Sequence, residues 1–292
     1  MKVLVIGTQG QLARSLITAK PTVGMSIACI GRPALDLADT EGTKSVVAEA
    51  KPDLVINAAA YTAVDRAETE VEAAFAVNAA GPEALAQVCQ RLSIPIIHLS
   101  TDYVFDGTKK SPYVEEDPVA PLGVYGRSKL EGERRVATAC PRHIILRTAW
   151  VHSPFGDNFV KTMLRLAGTR DEISVVDDQI GSPTFAPHLA AVILELARRI
   201  ANERELLWGI YHAAGDGNAT WCGLAREVFE VSSRLGGPVA SIRPISTAEY
   251  PTLAQRPANS RLDCGRLRCS LGAGLPPWQQ GVAECVAWLL AS

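Results

Sequence analysis

A chain of 292 residues that is 47% hydrophobic and 21% charged can bury one large core, or a main core with a smaller companion, and is not a disordered segment. Its formal net charge of −2 gives no general attraction to nucleic acid or to an acidic membrane surface. No stretch is apolar for the ~18 residues of a membrane span, and the seven cysteines form no C-x-x-C pair, so a soluble, cytoplasmic protein with reduced thiols and no metal cluster is expected.

The first half alternates two kinds of pattern. Strands are expected over 2–7, 26–31, 53–59, 94–100 and 143–150, each a Val- and Ile-rich run of the kind buried on both faces of a parallel sheet. Helices are expected between them, over 10–20, 40–50, 70–92 and 124–138. That alternation implies right-handed βαβ units and an α/β fold with a doubly wound, Rossmann-like parallel sheet. After residue 150 the pattern loosens into helices over 157–169, 186–202, 219–235 and 277–290 with short strands over 173–177, 209–214 and 239–243. The chain is therefore divided into a dinucleotide-binding domain, 1–150, and a smaller C-terminal α/β substrate domain, 151–292, with some later elements returning to the first sheet.

Chemistry first enters at VLVIGTQGQLA, 3–13, a strand that turns through Gly7 and Gly10 into a helix. One glycine permits the tight turn, and the other lets a pyrophosphate approach backbone N–H groups at the helix N-terminus. The spacing is G-x-x-G-x-x-A, with Ala13 in the third position. An ordinary strand–turn–helix would also use two glycines. The second strand ends at Gly31-Arg32, where a guanidinium suits a 2′-phosphate and favours NADPH, with NADH tolerated. A solvated surface charge is the equal alternative for Arg32. Asp36 and Leu37 follow closely enough to flank the adenine, and NAAAY, 57–61, ends the next strand on small residues against which a cofactor can lie.

The catalytic candidates follow in LSTDYVFDG, 99–107, and GVYGRSKLEGE, 123–133. Tyr125 and Lys129, at positions i and i+4, share one helix face, and Thr101 and Asp102 emerge at the edge of the sheet that carries Gly7. A Tyr–Lys pair on a plain surface helix is the bland reading of the same spacing. Reduction of a ketone by hydride builds charge on the carbonyl oxygen and needs a proton from a placed acid. A free phenol has a pKa of about 10, so a neighbouring ammonium is expected to draw Tyr125 down toward neutrality, while Thr101 holds the carbonyl oxygen. Trp150 ends a strand where its indole can pack on a sugar face, or simply sit half-buried. Arg256 suits a phosphate or, equally, a surface ion pair.

These stretches, with NAAAYTAVDRAE (57–68), LRTAWV (146–151), NFVKTMLRLA (158–167), VVDDQIGSPT (175–184) and RPANSRLDC (256–264), together resemble the extended short-chain dehydrogenase/reductase superfamily, and within it the dTDP-4-dehydrorhamnose reductase family. The resemblance implies NAD(P)H-dependent reduction of the 4-keto group of dTDP-4-dehydrorhamnose, the last step toward dTDP-L-rhamnose. It gives Tyr125 as proton donor, Lys129 as the ribose contact and Thr101 as the group that orients the ketone. It matches Gly10, Gln11, Leu12, Asp36, Leu37, Ala60, Tyr61, Thr62 and Leu99 to cofactor contacts, and Thr101, Asp102 and Trp150 to sugar-nucleotide contacts. It allows a homodimer. Some family members dimerise through Mg²⁺ held partly near the first helix, but QLARSLITAK, 11–20, has no acid, so no metal is expected. A sugar-nucleotide epimerase is one alternative, and a catalytically silent, NADP-binding regulatory subunit is another. Tyr103 stands where dehydratases of the superfamily carry Glu, which argues against water elimination.

Overall fold

The computed structural model describes residues 1–19, 23–202 and 208–291. The first half contains β1 (Lys2–Ile6), α1 (Gln11–Thr18), β2 (Ser26–Ile30), α2 (Thr40–Ala50), β3 (Leu54–Asn57), α3 (Val64–Ala67), α4 (Val71–Phe75), α5 (Gly81–Arg91), β4 (Ile96–Thr101), α6 (Val124–Ala139) and β5 (His143–Thr148). The second half contains β6 (Val151–His152), α7 (Phe159–Ala167), β7 (Glu172–Val176), β8 (Ile180–Gly181), β9 (Thr184–Phe185), α8 (Ala186–Asn202), β10 (Gly209–His212), β11 (Ala219–Thr220), α9 (Trp221–Arg234), β12 (Ser241–Ile245), α10 (Gly265–Leu271) and α11 (Trp278–Leu290).

Six strands form one parallel sheet in the order β2-β1-β3-β4-β5-β10. Successive side chains of a strand point to opposite faces, and both faces here are covered. Val3, Val5, Ile56 and Leu146 pack with Leu16 of α1 and with Leu189 and Ile193 of α8. Leu4, Ile6, Val55 and Ile145 pack on the other side with Val47 of α2, Leu85 of α5 and Val136 of α6. Each such side chain contributes about 1.5–3 kcal/mol when fully buried, which is why the strand runs are uninterrupted. The chain leaves β1 toward β2 on one side and returns to β3 on the other. Between β1 and β3 lies the switch point, where a ligand crevice opens beyond the strand C-termini.

Both α8 and β10 come from the second half yet belong to this sheet and its cover. Leu267 and Leu271 of α10 join the same cover, while α7, α9 and α11 build a separate core around Val160, Val228 and Val282, capped by short two-stranded pairings such as β7 with β12. The strand expected over 239–243 is displaced to β12, because its register is set by parallel pairing of Ser241–Ile245 with β7. Position 20, the expected end of the first helix, lies outside the described residues, and α1 stops at Thr18 with Ala19 extended.

The single helix expected over 70–92 is not uniform. Its middle turn, Ala76–Ala80, is a π-helix joining α4 to α5. A π turn takes one extra residue per hydrogen-bonded ring and re-aims the side chains it carries. It faces α6 where Gly132 leaves room: a methyl there would collide with the carbonyl oxygen of Asn78. Gly126 does the same against the carbonyl of Tyr103. We therefore expect Gly132→Ala to lower stability by about 1–3 kcal/mol, the scale of an overpacked core. Denaturant unfolding measures it, and a midpoint like that of the parent chain would show that α6 can retreat at no cost.

Candidate active site

A cleft of about 720 Å³ opens at the C-terminal ends of β1, β3, β4 and β5. Gly7, with φ of +116°, makes the turn out of β1 in a conformation that side chains rarely adopt. Gly10 then caps α1. That helix has no side-chain cap and no acid in its first turn, so its free N–H groups suit an anion, and a dinucleotide pyrophosphate fits this end of the cleft. Gly7, Gly10, Gln11, Leu12, Arg32, Asp36, Leu37, Ala60, Thr62 and Leu99 all line the cleft.

Two predicted residues are elsewhere. Tyr61 does not line the cleft, and its hydroxyl donates to Glu70 at 2.6 Å. Its backbone is held by Asn78, whose Oδ1 accepts from the Tyr61 N–H at 2.8 Å. Arg256 also stays out, because its guanidinium pairs with Asp65 at 2.8 Å. Asp65 lies on α3, a one-turn helix that the sequence pattern did not reveal.

Thr101, Asp102, Tyr125, Lys129 and Trp150 meet in the cleft. Thr101 ends β4, and its oxygen accepts the N–H of Tyr103 at 3.2 Å while its hydroxyl donates to Asp102 Oδ1 at 3.0 Å. The phenol of Tyr125 hydrogen-bonds Thr101. Its edge-to-face contact with Tyr103, centroids 5.5 Å apart, holds the ring.

The expected effect of Lys129 on this phenol is corrected by the geometry. Burial pushes Tyr125 up to about 12, which the Thr101 hydrogen bond only partly offsets. The Lys129 ammonium turns toward the sheet, donating to the Leu99 carbonyl at 2.6 Å with His98 Nε2 at 3.5 Å. Lys129 itself is brought down to about 8 by burial, against the pull of Glu133. Asp102 is pushed up to about 6 by burial, with hydrogen bonds from Ser260 and Thr101 opposing.

Several supporting groups were not legible as such. Glu133, one turn beyond Lys129, forms a buried bidentate pair with Arg147 at 2.9 and 2.7 Å and also accepts from Ser100. Its spacing, Tyr125–Lys129–Glu133, was the available signal. Asn78 bonds Ser128 at 3.0 Å from inside the π turn, and no sequence signal marks that turn. Gln11 sits at the phosphate turn, yet its side chain accepts from Ser153 at 2.9 Å and Asn158 at 3.0 Å and donates to the Val151 carbonyl at 3.2 Å. Trp150 adopts φ of +46° and stacks on Trp221, with centroids 3.5 Å apart and rings 3° from parallel. One face of the indole is thus taken by protein. Trp221 is fixed in turn by Gln179 at 3.1 Å.

The family model described as the RmlD substrate binding domain matches residues 1–290. A dTDP-4-dehydrorhamnose reductase of Sinorhizobium fredii is 49% identical over 292 residues, 99% of this chain and 98% of its own. A crystal structure of a dTDP-4-dehydrorhamnose reductase from Clostridium acetobutylicum superposes with a TM-score of 0.92 at 35% identity, covering 99% of this chain and 100% of that one. Another, from Bacillus anthracis in complex with NADP, superposes with a TM-score of 0.91 at 34% identity, over 98% and 99% of the two chains.

Burial disfavours the charged form of Lys129, so its ammonium is present below about pH 8 and lost above it. If that charge helps to hold a dinucleotide, NADPH affinity is full on the acid side and weakens as pH rises through that value. Titrations on both sides of it, with Lys129→Met beside the parent chain, give the answer. We expect the variant to bind more weakly and with a flat profile; a parent profile as flat as the variant's removes Lys129 from the binding of the cofactor.

Proposed function

This chain belongs to the RmlD substrate binding domain family, that of the dTDP-4-dehydrorhamnose reductases, and we propose how its own residues carry out the reaction. It is an NAD(P)H-dependent oxidoreductase that reduces the 4-keto group of dTDP-4-dehydro-β-L-rhamnose to give dTDP-β-L-rhamnose. No helix among the described residues is long and apolar enough to cross a membrane. We place the reaction in the cytoplasm, where reduced nicotinamide is regenerated.

The bound nicotinamide supplies a hydride to C4. The protein then has to deliver a proton to the oxygen, and Tyr125 is built for it. Burial holds its phenol up at about 12, so the group facing the ketone carries its proton at neutral pH. Thr101, hydrogen-bonded to that phenol, keeps the ketone oxygen within its reach. Lys129 would hold the nicotinamide ribose from beside the Leu99 carbonyl. Arg32 takes the 2′-phosphate, and the open N-terminus of α1 takes the pyrophosphate. Trp150, backed by Trp221, forms the wall against which the deoxysugar packs, and the 151–292 segment supplies most of the lobe that receives the nucleotide.

The observation that supports this most is the convergence of Thr101, Tyr125 and Lys129 in the cleft that the α1 N-terminus also borders. Loss of NADPH absorbance with enzymatically prepared dTDP-4-dehydrorhamnose tests it, with the product's C4 configuration read by NMR. We expect an L-rhamno product, and Tyr125→Phe to bind NADPH normally while turning over about 10²-fold more slowly. Near-normal turnover by that variant removes Tyr125 from the role. NADPH binding with no turnover by the parent chain would favour a silent dinucleotide-binding subunit.

A further inference from the structure

His98 stands on β4 directly across from Asn57 on β3. It is fully buried, lies outside the lining of the cleft and has no part in the reaction described above. Asn57 fixes which of its ring nitrogens carries the proton. The N–H of Ala59 donates to Asn57 Oδ1 at 3.2 Å, so the oxygen of that amide is engaged and its nitrogen faces His98 Nδ1 at 3.0 Å. Nδ1 is therefore the acceptor. Burial keeps the imidazole neutral, well below the usual histidine range, so its single proton sits on Nε2. That nitrogen faces Lys129 Nζ at 3.5 Å.

An ammonium has three donors and no acceptor, whereas an amine has a lone pair. At Lys129 one N–H goes to the Leu99 carbonyl at 2.6 Å, and the side chain is only 2% exposed. An ammonium in that place meets the His98 N–H donor to donor, while an amine accepts it. We propose that His98 is a positioning residue: by aiming Nε2–H at Lys129 Nζ, it weakens that side chain's hold on its third proton until an arriving dinucleotide secures it. The second half of this rests on the reductase reading above, in which Lys129 reaches the cofactor. As an amine, Lys129 accepts from His98, gives one N–H to Leu99 and keeps the other for the cleft that it lines. NADPH is an anion and favours the ammonium, so by linkage its binding draws a proton from solvent onto the Nζ lone pair. His98 then loses its acceptor, and no other bond to hydrogen changes.

The neighbouring charges leave room for this control. Glu133, one turn further along α6, pulls Lys129 toward the ammonium, but its carboxylate is already held by Arg147 and Ser100. Tyr125, one turn back, is pushed up to about 12 by burial and stays neutral, and the carboxyl of Asp102 bears on that phenol. His143, at the start of β5, bears on His98 and is itself lowered by burial, so it carries no charge at neutral pH. Lys129 is brought down to about 8, chiefly by burial. The ammonium is thus present below about pH 8 and lost above it, and a proton can be taken up around that value.

His98→Asn keeps an oxygen to accept from Asn57 and removes the N–H aimed at Lys129. In protein with isotope-labelled lysine, the side-chain NMR signal that is missing from Lys129→Met reports the Lys129 proton with no ligand present. We expect the parent to titrate at about pH 8 and His98→Asn about 0.5–1 pH unit higher, the scale of one hydrogen bond. The midpoint of the NADPH-affinity profile should rise by the same amount. A merely structural His98 would instead weaken binding alike at every pH. A Lys129 midpoint that stays or falls in His98→Asn overturns the proposal. Should that variant fail to fold, the ring nitrogens of His98 in the parent chain, labelled at histidine, decide: a proton on Nε2 with Nδ1 bare supports the contact, and a proton on Nδ1 overturns it. A Lys129 midpoint that rises as expected beside an NADPH affinity indifferent to pH would strike the reading of Lys129 as a cofactor contact and leave the His98 contact standing.

Discussion

Glu133 and Arg147 meet in two hydrogen bonds with almost no exposure to solvent, tying α6 to β5 beneath the cleft. Ser100 brings β4 into the same knot. A buried pair of this kind gives little net stability, because desolvation consumes most of the attraction, yet removing either partner costs about 3–5 kcal/mol. Its value lies in geometry. Helix α6 can approach the sheet in one way only, and that approach sets where Tyr125 and Lys129 stand relative to Thr101. The glycines at 126 and 132 allow the approach to be close, and the ion pair makes it unique.

Burial acts in one direction on every titratable group beside that knot. It raises the phenol of Tyr125 and the carboxyl of Asp102, and it lowers the ammonium of Lys129 and the imidazole of His98. Burial thus favours the neutral form of each of these four groups. Charged ligands are what such a site receives, and a pyrophosphate at the α1 N-terminus meets backbone dipoles rather than a competing side-chain anion.

The sequence made the sheet legible because its cause is local: a Val- and Ile-rich run has to be covered on both faces, and β1, β3, β4 and β5 are, while β2 at the edge is only partly covered. The Tyr125–Lys129 spacing was legible for the same reason, since helical periodicity alone puts both on one face. What the spacing could not tell is which way the ammonium turns, which depends on the Leu99 carbonyl arriving from β4. Arg256 shows the limit from the other side. Its partner, Asp65, comes from an element far away in the chain, and no pattern near either residue announces the pair. The π turn at Ala76–Ala80 is hidden for a third reason, because three of its five residues are Ala, the strongest helix former, and the fit around Asn78 and Gly132 is made with residues distant in the chain.

The cover of the first sheet has a consequence for how the chain reaches its native state. One face is sealed by Leu189 and Ile193 of α8, by Tyr211 of β10, and finally by Leu267, Leu271 and Leu275. A nascent chain that has emerged only through β5 holds most of the sheet's strands but leaves Val3, Val5 and Ile56 without the greater part of their apolar lid. Such an intermediate exposes a hydrophobic face and an unpaired β5 edge until the ribosome has delivered nearly the whole polypeptide. Contacts this distant in sequence also slow folding after release, since long loops close before their burial rewards them. The half of the molecule that looks most self-sufficient in its sequence is thus the half that waits longest to be finished during synthesis.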